Sequence, residues 1–123
     1  MIWHAKFIGV HKMGPTMPIS MYAYGNNKEE AERDIRERCE QVMFLELQHR
    51  FIVTVGDCKP GDRIYRVENG KTIGDVDPHH SQYHVQEHNS IVCSGEYANH
   101  ITCRDRGGVL VPVAANLQCI VED

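Results

Sequence analysis

The sequence predicts an α+β fold in which a mostly antiparallel, curled sheet of about seven to nine short strands packs on one main helix, ordered ββα and then all-β. Three observations lead there. One stretch, from Asn27 to about Gln48, has helical periodicity; Ile2 to Val10 alternates as a strand does; and beyond Phe51 turn signals recur at short intervals. Helices do not alternate with strands along the chain, which disfavours a parallel βαβ architecture.

In Ile2–Val10, Trp3, Ala5 and Phe7 fall on one side and His4 and Lys6 on the other, the period of a half-buried strand. Met13-Gly14-Pro15-Thr16-Met17-Pro18 reads as a turn, and Ile19 to Tyr24 as a second strand pairing back on the first. If the face carrying Tyr22 and Tyr24 is left open, it is a partner surface; if later strands cover it, both tyrosines are core.

The helix has a start signal. Asn27 followed by Glu30 is a capping box, in which the asparagine accepts from free amides and the glutamate reaches back. Ala31, Ile35, Cys39 and Val42 form one apolar stripe. Glu29 with Arg33, Glu32 with Arg36 and Asp34 with Arg38 are i, i+4 pairs, each adding roughly 0.2–0.5 kcal/mol, and they mark the solvated face. Met43, Phe44, Leu45 and Leu47 put apolar residues on too many sides for a one-sided helix. Either the last turns are buried all round, or the helix stops near Gln41 and Val42–Leu47 is a strand.

Phe51 to Val55 is β-branched and ends at Gly56, so it is expected as a third strand of the same sheet. Lys59-Pro60-Gly61-Asp62 is a tight turn. Arg63–Val67 and Lys71–Val76, joined by Asn69-Gly70, make the clearest hairpin, because Asn-Gly suits both positive φ angles of a type I′ turn. After a histidine-rich stretch, Ser90–Ser94, His100–Arg104, Val109–Val113 and Leu117–Val121 read as four more strands. Pro112 cannot donate to a ladder, so its strand is an edge or is broken there.

At 123 residues the chain is expected to form a single domain, residues 1–123, large enough to fold without a disulfide or metal. A hydrophobic fraction of 41% and a charged fraction of 24% are ordinary for a globular protein and exclude a disordered or fibrous class. No apolar run approaches bilayer-spanning length, and the first residues lack the layout of a signal peptide, so a cytoplasmic protein is expected. The five cysteines, Cys39, Cys58, Cys93, Cys103 and Cys119, are odd in number and form no C-x-x-C, as expected of buried thiols in a reducing compartment. The formal charge is −4, and protonating all eight histidines would reverse its sign. Such a chain has no general pull on nucleic acid, which is disfavoured as a partner.

Two places have residue types suited to chemistry. Asp77-Pro78 resembles a helix start, and a helix there would put His80, His84 and His88 on one face; two histidines at i, i+4 can bind zinc, with His79 or a cysteine completing the shell. In a strand reading of the same stretch, Tyr83 and Val85 face inward and His84 and Gln86 face water. The second place is Arg104-Asp105-Arg106-Gly107-Gly108, with His100 nearby. Guanidinium groups and glycine amides can converge there on an anion, or the stretch is a simple turn with its arginines outside.

Other patterns fail on inspection. Gly56 and Gly61 have phosphate-loop separation, but Asp62-Arg63 follows where Lys and Ser or Thr are required. His79-His80-Ser81 and His100-Ile101-Thr102 lie too close in sequence to come from the two half-domains of a two-histidine phosphoesterase. Cys93 and Cys103 fall in strand-like segments, where an inert core thiol is the common outcome.

No family resemblance carries residues over. The general look, short and without a catalytic motif, is that of a compact accessory protein of a bacteriophage or other mobile element. The expected function is that of a non-catalytic binding or inhibitor protein, acting as a homo-oligomer without a cofactor. Its expected partner is a host protein it occludes, or a small anionic ligand such as a nucleotide held by Arg104, Arg106, Gly107, Gly108 and His100. The alternative is a zinc-binding protein or zinc-dependent hydrolase built on His79–His88.

Overall fold

Asn27 starts the helix by the predicted mechanism. Its side chain accepts from the Glu30 amide at 2.9 Å, and the Glu30 carboxylate accepts from the Asn26 amide at 2.6 Å, one residue earlier than in a standard capping box. The computed structural model describes residues 1–10, 14–73, 81–86 and 98–122. Within them the protein is an α+β fold with ten strands in curled antiparallel sheets and one α-helix, ordered ββα and then all-β. The described chain divides into two compact units, one within Met1–Arg50 and the other formed by the described residues from Phe51 onward.

The first unit contains β1 (Ile2–Val10), β2 (Thr16–Tyr24), α1 (Lys28–Arg38) and β3 (Val42–Arg50). Its sheet runs β2-β1-β3, antiparallel throughout. The helix ends at Arg38, where Cys39 turns to extended backbone. Val42 to Arg50 is therefore a strand, the second of the two outcomes the apolar run allowed. The stripe survives the change of structure: Ala31 and Ile35 are fully buried against Ala5, Phe7 and Ala23, with Cys39, Val42, Leu45 and Leu47 packed around them. Gly25 makes the sharp entry to the helix, since a Cβ there would lie 2.7 Å from the Ala31 nitrogen and the Glu30 Cβ.

On the solvent side of α1, Arg36 pairs with Glu32 at 3.1 Å and Arg38 with Asp34 at 2.9 Å. The second pair also finishes an edge. Asp34 accepts from the Tyr24 amide at 2.9 Å, and Arg38 donates to the Tyr22 carbonyl at 2.5 Å, so helix side chains occupy backbone groups of β2. Tyr22 is fully buried and Tyr24 half-buried, which places the first in the core.

The second unit contains β4 (Val53–Thr54), a 3-10 turn at Val55–Asp57, β5 (Arg63–Glu68), β6 (Lys71–Thr72), β7 (Tyr83–Val85), β8 (His100–Arg104), β9 (Leu110–Ala114) and β10 (Gln118–Glu122). Its sheet runs β4-β10-β5-β7-β8-β9, with β6 paired to β5. Phe51–Val55, expected beside β1 and β2, contributes β4 to this sheet instead, because β3 has taken the third place. The Asn69-Gly70 hairpin forms as predicted, with φ of 53° and 76° at the two turn residues. Pro112 lies on β9, opposite Thr102 and at the end of the sheet among the described strands. Val55, Cys58, Ile64, Val85, Ile101, Cys103, Val113 and Cys119 form the core. The strand expected at Ser90–Ser94 lies outside the described residues.

Candidate functional site

The Arg104–Gly108 segment is the hairpin turn between β8 and β9, and donors of Arg104, Gly107 and Gly108 are bonded within the turn. The Asp105 carboxylate accepts from the amides of Gly107 at 2.9 Å and Val109 at 3.0 Å, while the Gly108 amide donates to the Asp105 carbonyl at 3.0 Å. Arg104 folds back to donate to the Gly108 carbonyl at 2.7 Å. Asp105 thus already supplies the negative charge that this nest of amides favours. His100 begins β8, four residues before Arg104 and roughly 13 Å away along an extended strand. The structure brings Arg104, Gly107 and Gly108 together around Asp105, leaves Arg106 exposed, and holds His100 apart from the turn.

His84 lies in the middle of β7, exposed between half-buried Tyr83 and buried Val85. This is the strand reading, and it corrects the helical spacing proposed for His80, His84 and His88, since an i, i+4 face cannot pass through a residue in extended backbone. His79, His80 and His88 lie outside the described residues, as does Cys93. Among the described residues no group of three or more His, Cys, Asp or Glu is arranged to hold a metal ion. Nor is any described helix long and apolar enough to cross a membrane.

The most unusual geometry of the first unit lies on β3, where the register against β1 shifts. Lys6 faces Glu46 but Ile8 faces Met43, so β3 carries one more residue than β1 over this interval. The extra residue makes a β-bulge. At the bulge Phe44 has φ of 57°, the left-handed region that glycine occupies readily and a bulky residue rarely does. Its ring is not driven there by burial, because Phe44 is 84% exposed, and Met43 beside it is 39% exposed. An aromatic held out by a strained backbone is an observation from which a functional role can be argued.

No family model matches the chain, and no curated protein or solved structure matches it.

The surroundings of the bulge fit a contact surface. Among the described residues β3 is the last strand of its sheet, whereas β2 at the other side has α1 side chains on its backbone groups. The register aligns Pro18, Ile8 and Met43 in one row across the sheet, an apolar end to the face opposite the helix. Two shallow hollows flank β3. One, of about 150 Å³, is lined by Lys28, Glu29, Glu32, Leu45 and Leu47; the other, of about 210 Å³, by His4, Lys6, Glu46, Leu47 and Gln48. Both are smaller than the roughly 300–1,000 Å³ of ordinary small-molecule pockets. Charged and polar side chains thus share β3 and its neighbours with the exposed apolar residues Met43 and Phe44. Sequence reasoning singled out the run Met43-Phe44-Leu45 as too apolar for its element but had no means of placing a bulge in it.

Proposed function

We propose that this is a non-catalytic binding protein that engages another protein through the outer side of β3, with Phe44 as the projecting anchor. The observation that carries the reading is Phe44 itself, 84% exposed at a φ of 57°. Strain in the backbone opposes folding of the free chain by about 1–2 kcal/mol, and a partner that covers the exposed ring removes from water apolar area that the free chain leaves there. Rigid aromatic anchors of this kind dominate binding energy in protein interfaces. A protein partner is favoured over a small anionic ligand because the hollows beside β3 are shallow and the glycine amides of the β8–β9 turn already serve Asp105.

The test is quantitative affinity capture from the native host with the unsubstituted protein and with Phe44→Ser. A partner retained by the first and depleted at least about tenfold with the second is expected, that ratio corresponding to about 1.4 kcal/mol. Equal recovery of every captured protein by the two would contradict the reading. A second copy of this chain among the captured species would make the same surface a homo-oligomer interface.

A further inference from the structure

The core of the second unit holds a close pair of thiols. Cys58 and Cys119 are 61 residues apart in sequence, yet their sulfurs approach to 3.7 Å. Both are held by backbone structure. Cys58 ends the 3-10 turn, its amide donating to the Val55 carbonyl at 3.0 Å, and Cys119 sits within β10 opposite Val53 of β4 and Arg66 of β5. Neither sulfur is a random neighbour of the other, because the turn is tied to the strand region by bonds from the Val55 amide to Leu117 and the Gly56 amide to Ala115, each at 2.9 Å. Cys39 is placed in the other unit, beside Met21.

We propose that Cys58 and Cys119 are an oxidisable pair that closes to an intramolecular disulfide under a peroxide. In the first step the Cys58 thiolate attacks one peroxide oxygen. An S–O bond forms, the O–O bond breaks, and the departing oxygen leaves as water after protonation. In the second, the Cys119 sulfur attacks the Cys58 sulfur; the S–S bond forms, the S–O bond breaks, and hydroxide leaves with the Cys119 proton as water. The two thiols lose two electrons together, and one peroxide becomes two waters. Closure moves the sulfurs from 3.7 Å to about 2.05 Å.

Cys58 is the attacking member. It is 4% exposed where Cys119 is fully buried, and its contact with the Cys119 sulfur favours charge on Cys58. Burial pushes both thiols up, Cys119 further, and Asp62 and Asp57 push Cys58 in the same direction, so oxidation is slow and needs sustained exposure. Once formed, the bond ties the 3-10 turn to β10 across a long loop and stabilises the unit against unfolding.

The experiment treats the folded protein with hydrogen peroxide, alkylates the remaining thiols, and maps cross-linked peptides by mass spectrometry, with melting measured in parallel. The expected result is a Cys58–Cys119 link, reversed by a thiol reductant, and a rise in Tm of at least about 4 °C. Cys103→Ser keeps the link. Cys119→Ser abolishes it and leaves a dimedone-reactive sulfenic acid at Cys58. Alkylation of both thiols after treatment, or a link that joins Cys103 to either of them in the folded protein, would overturn the proposal. The mapping on the unsubstituted chain decides this even where a variant does not fold.

Discussion

Glycine at position 44 should give a more stable protein than alanine there, although alanine keeps more side chain. The left-handed backbone costs a non-glycine residue about 1–2 kcal/mol, and glycine removes that cost while adding about 0.5–1 kcal/mol of unfolded-chain entropy to be lost. With Phe44 84% exposed, deleting the ring removes only roughly 0.3–0.5 kcal/mol of burial in either variant. Phe44→Gly is therefore expected to exceed Phe44→Ala by about 0.5–1 kcal/mol, or about 2–4 °C in Tm. Urea titrations of both variants, followed by far-ultraviolet circular dichroism, read the difference directly. Equal stability, or a more stable alanine variant, would refute the claim that the bulge holds residue 44 in the left-handed region.

Other outcomes follow from single contacts. Asn27→Ala removes the acceptor for the Glu30 amide and should lower stability by about 1 kcal/mol in the same titration. Gly25→Ala would place a methyl group 2.7 Å from the Ala31 nitrogen, and the forced shift of the helix start should cost about 1–3 kcal/mol, visible as a lower Tm. Asp105→Ala leaves the Gly107 and Val109 amides without their carboxylate; about 1 kcal/mol of stability should be lost, with faster amide exchange confined to the β8–β9 turn. Stability should also fall in alkali. Because burial raises both the Cys58 and Cys119 thiols, the folded state keeps protons that the unfolded chain releases above about pH 8.5. The contribution is complete below that pH and declines above it by up to about 1.4 kcal/mol per pH unit for each thiol. Cys119→Ser should flatten that slope in denaturation curves recorded from neutral to alkaline pH.

Much of the fold was legible because its determinants are local. The capping box at Asn27, the Asn69-Gly70 turn and the alternation of Ile2–Val10 each depend on neighbours in sequence, and each is found in the structure. The strand from Val42 to Arg50 was legible only as an alternative. The helical stripe of Ala31, Ile35 and Cys39 continues into Val42, and the core accepts Val42 from a strand as readily as from a helix. Phe51–Val55 was misplaced for a related reason, since which of two neighbouring apolar runs pairs with β1 is decided by long-range register. The sites were less legible still. The role of Asp105 in filling the glycine turn depends on loop closure, and the bulge at Phe44 on an unequal residue count between β1 and β3. The approach of Cys58 to Cys119 across 61 residues leaves no trace in spacing.

The central claim is that the outer side of β3 at Phe44 meets a protein partner. The direct measurement is site-specific photo-crosslinking in the native host, with a benzophenone-bearing amino acid at position 44, at position 43, and as a control at Val109, which is 59% exposed in the other unit. A discrete adduct of defined mass from positions 44 and 43, and none from 109, is the predicted result. No adduct from 44, or the same adducts from 109, would contradict it.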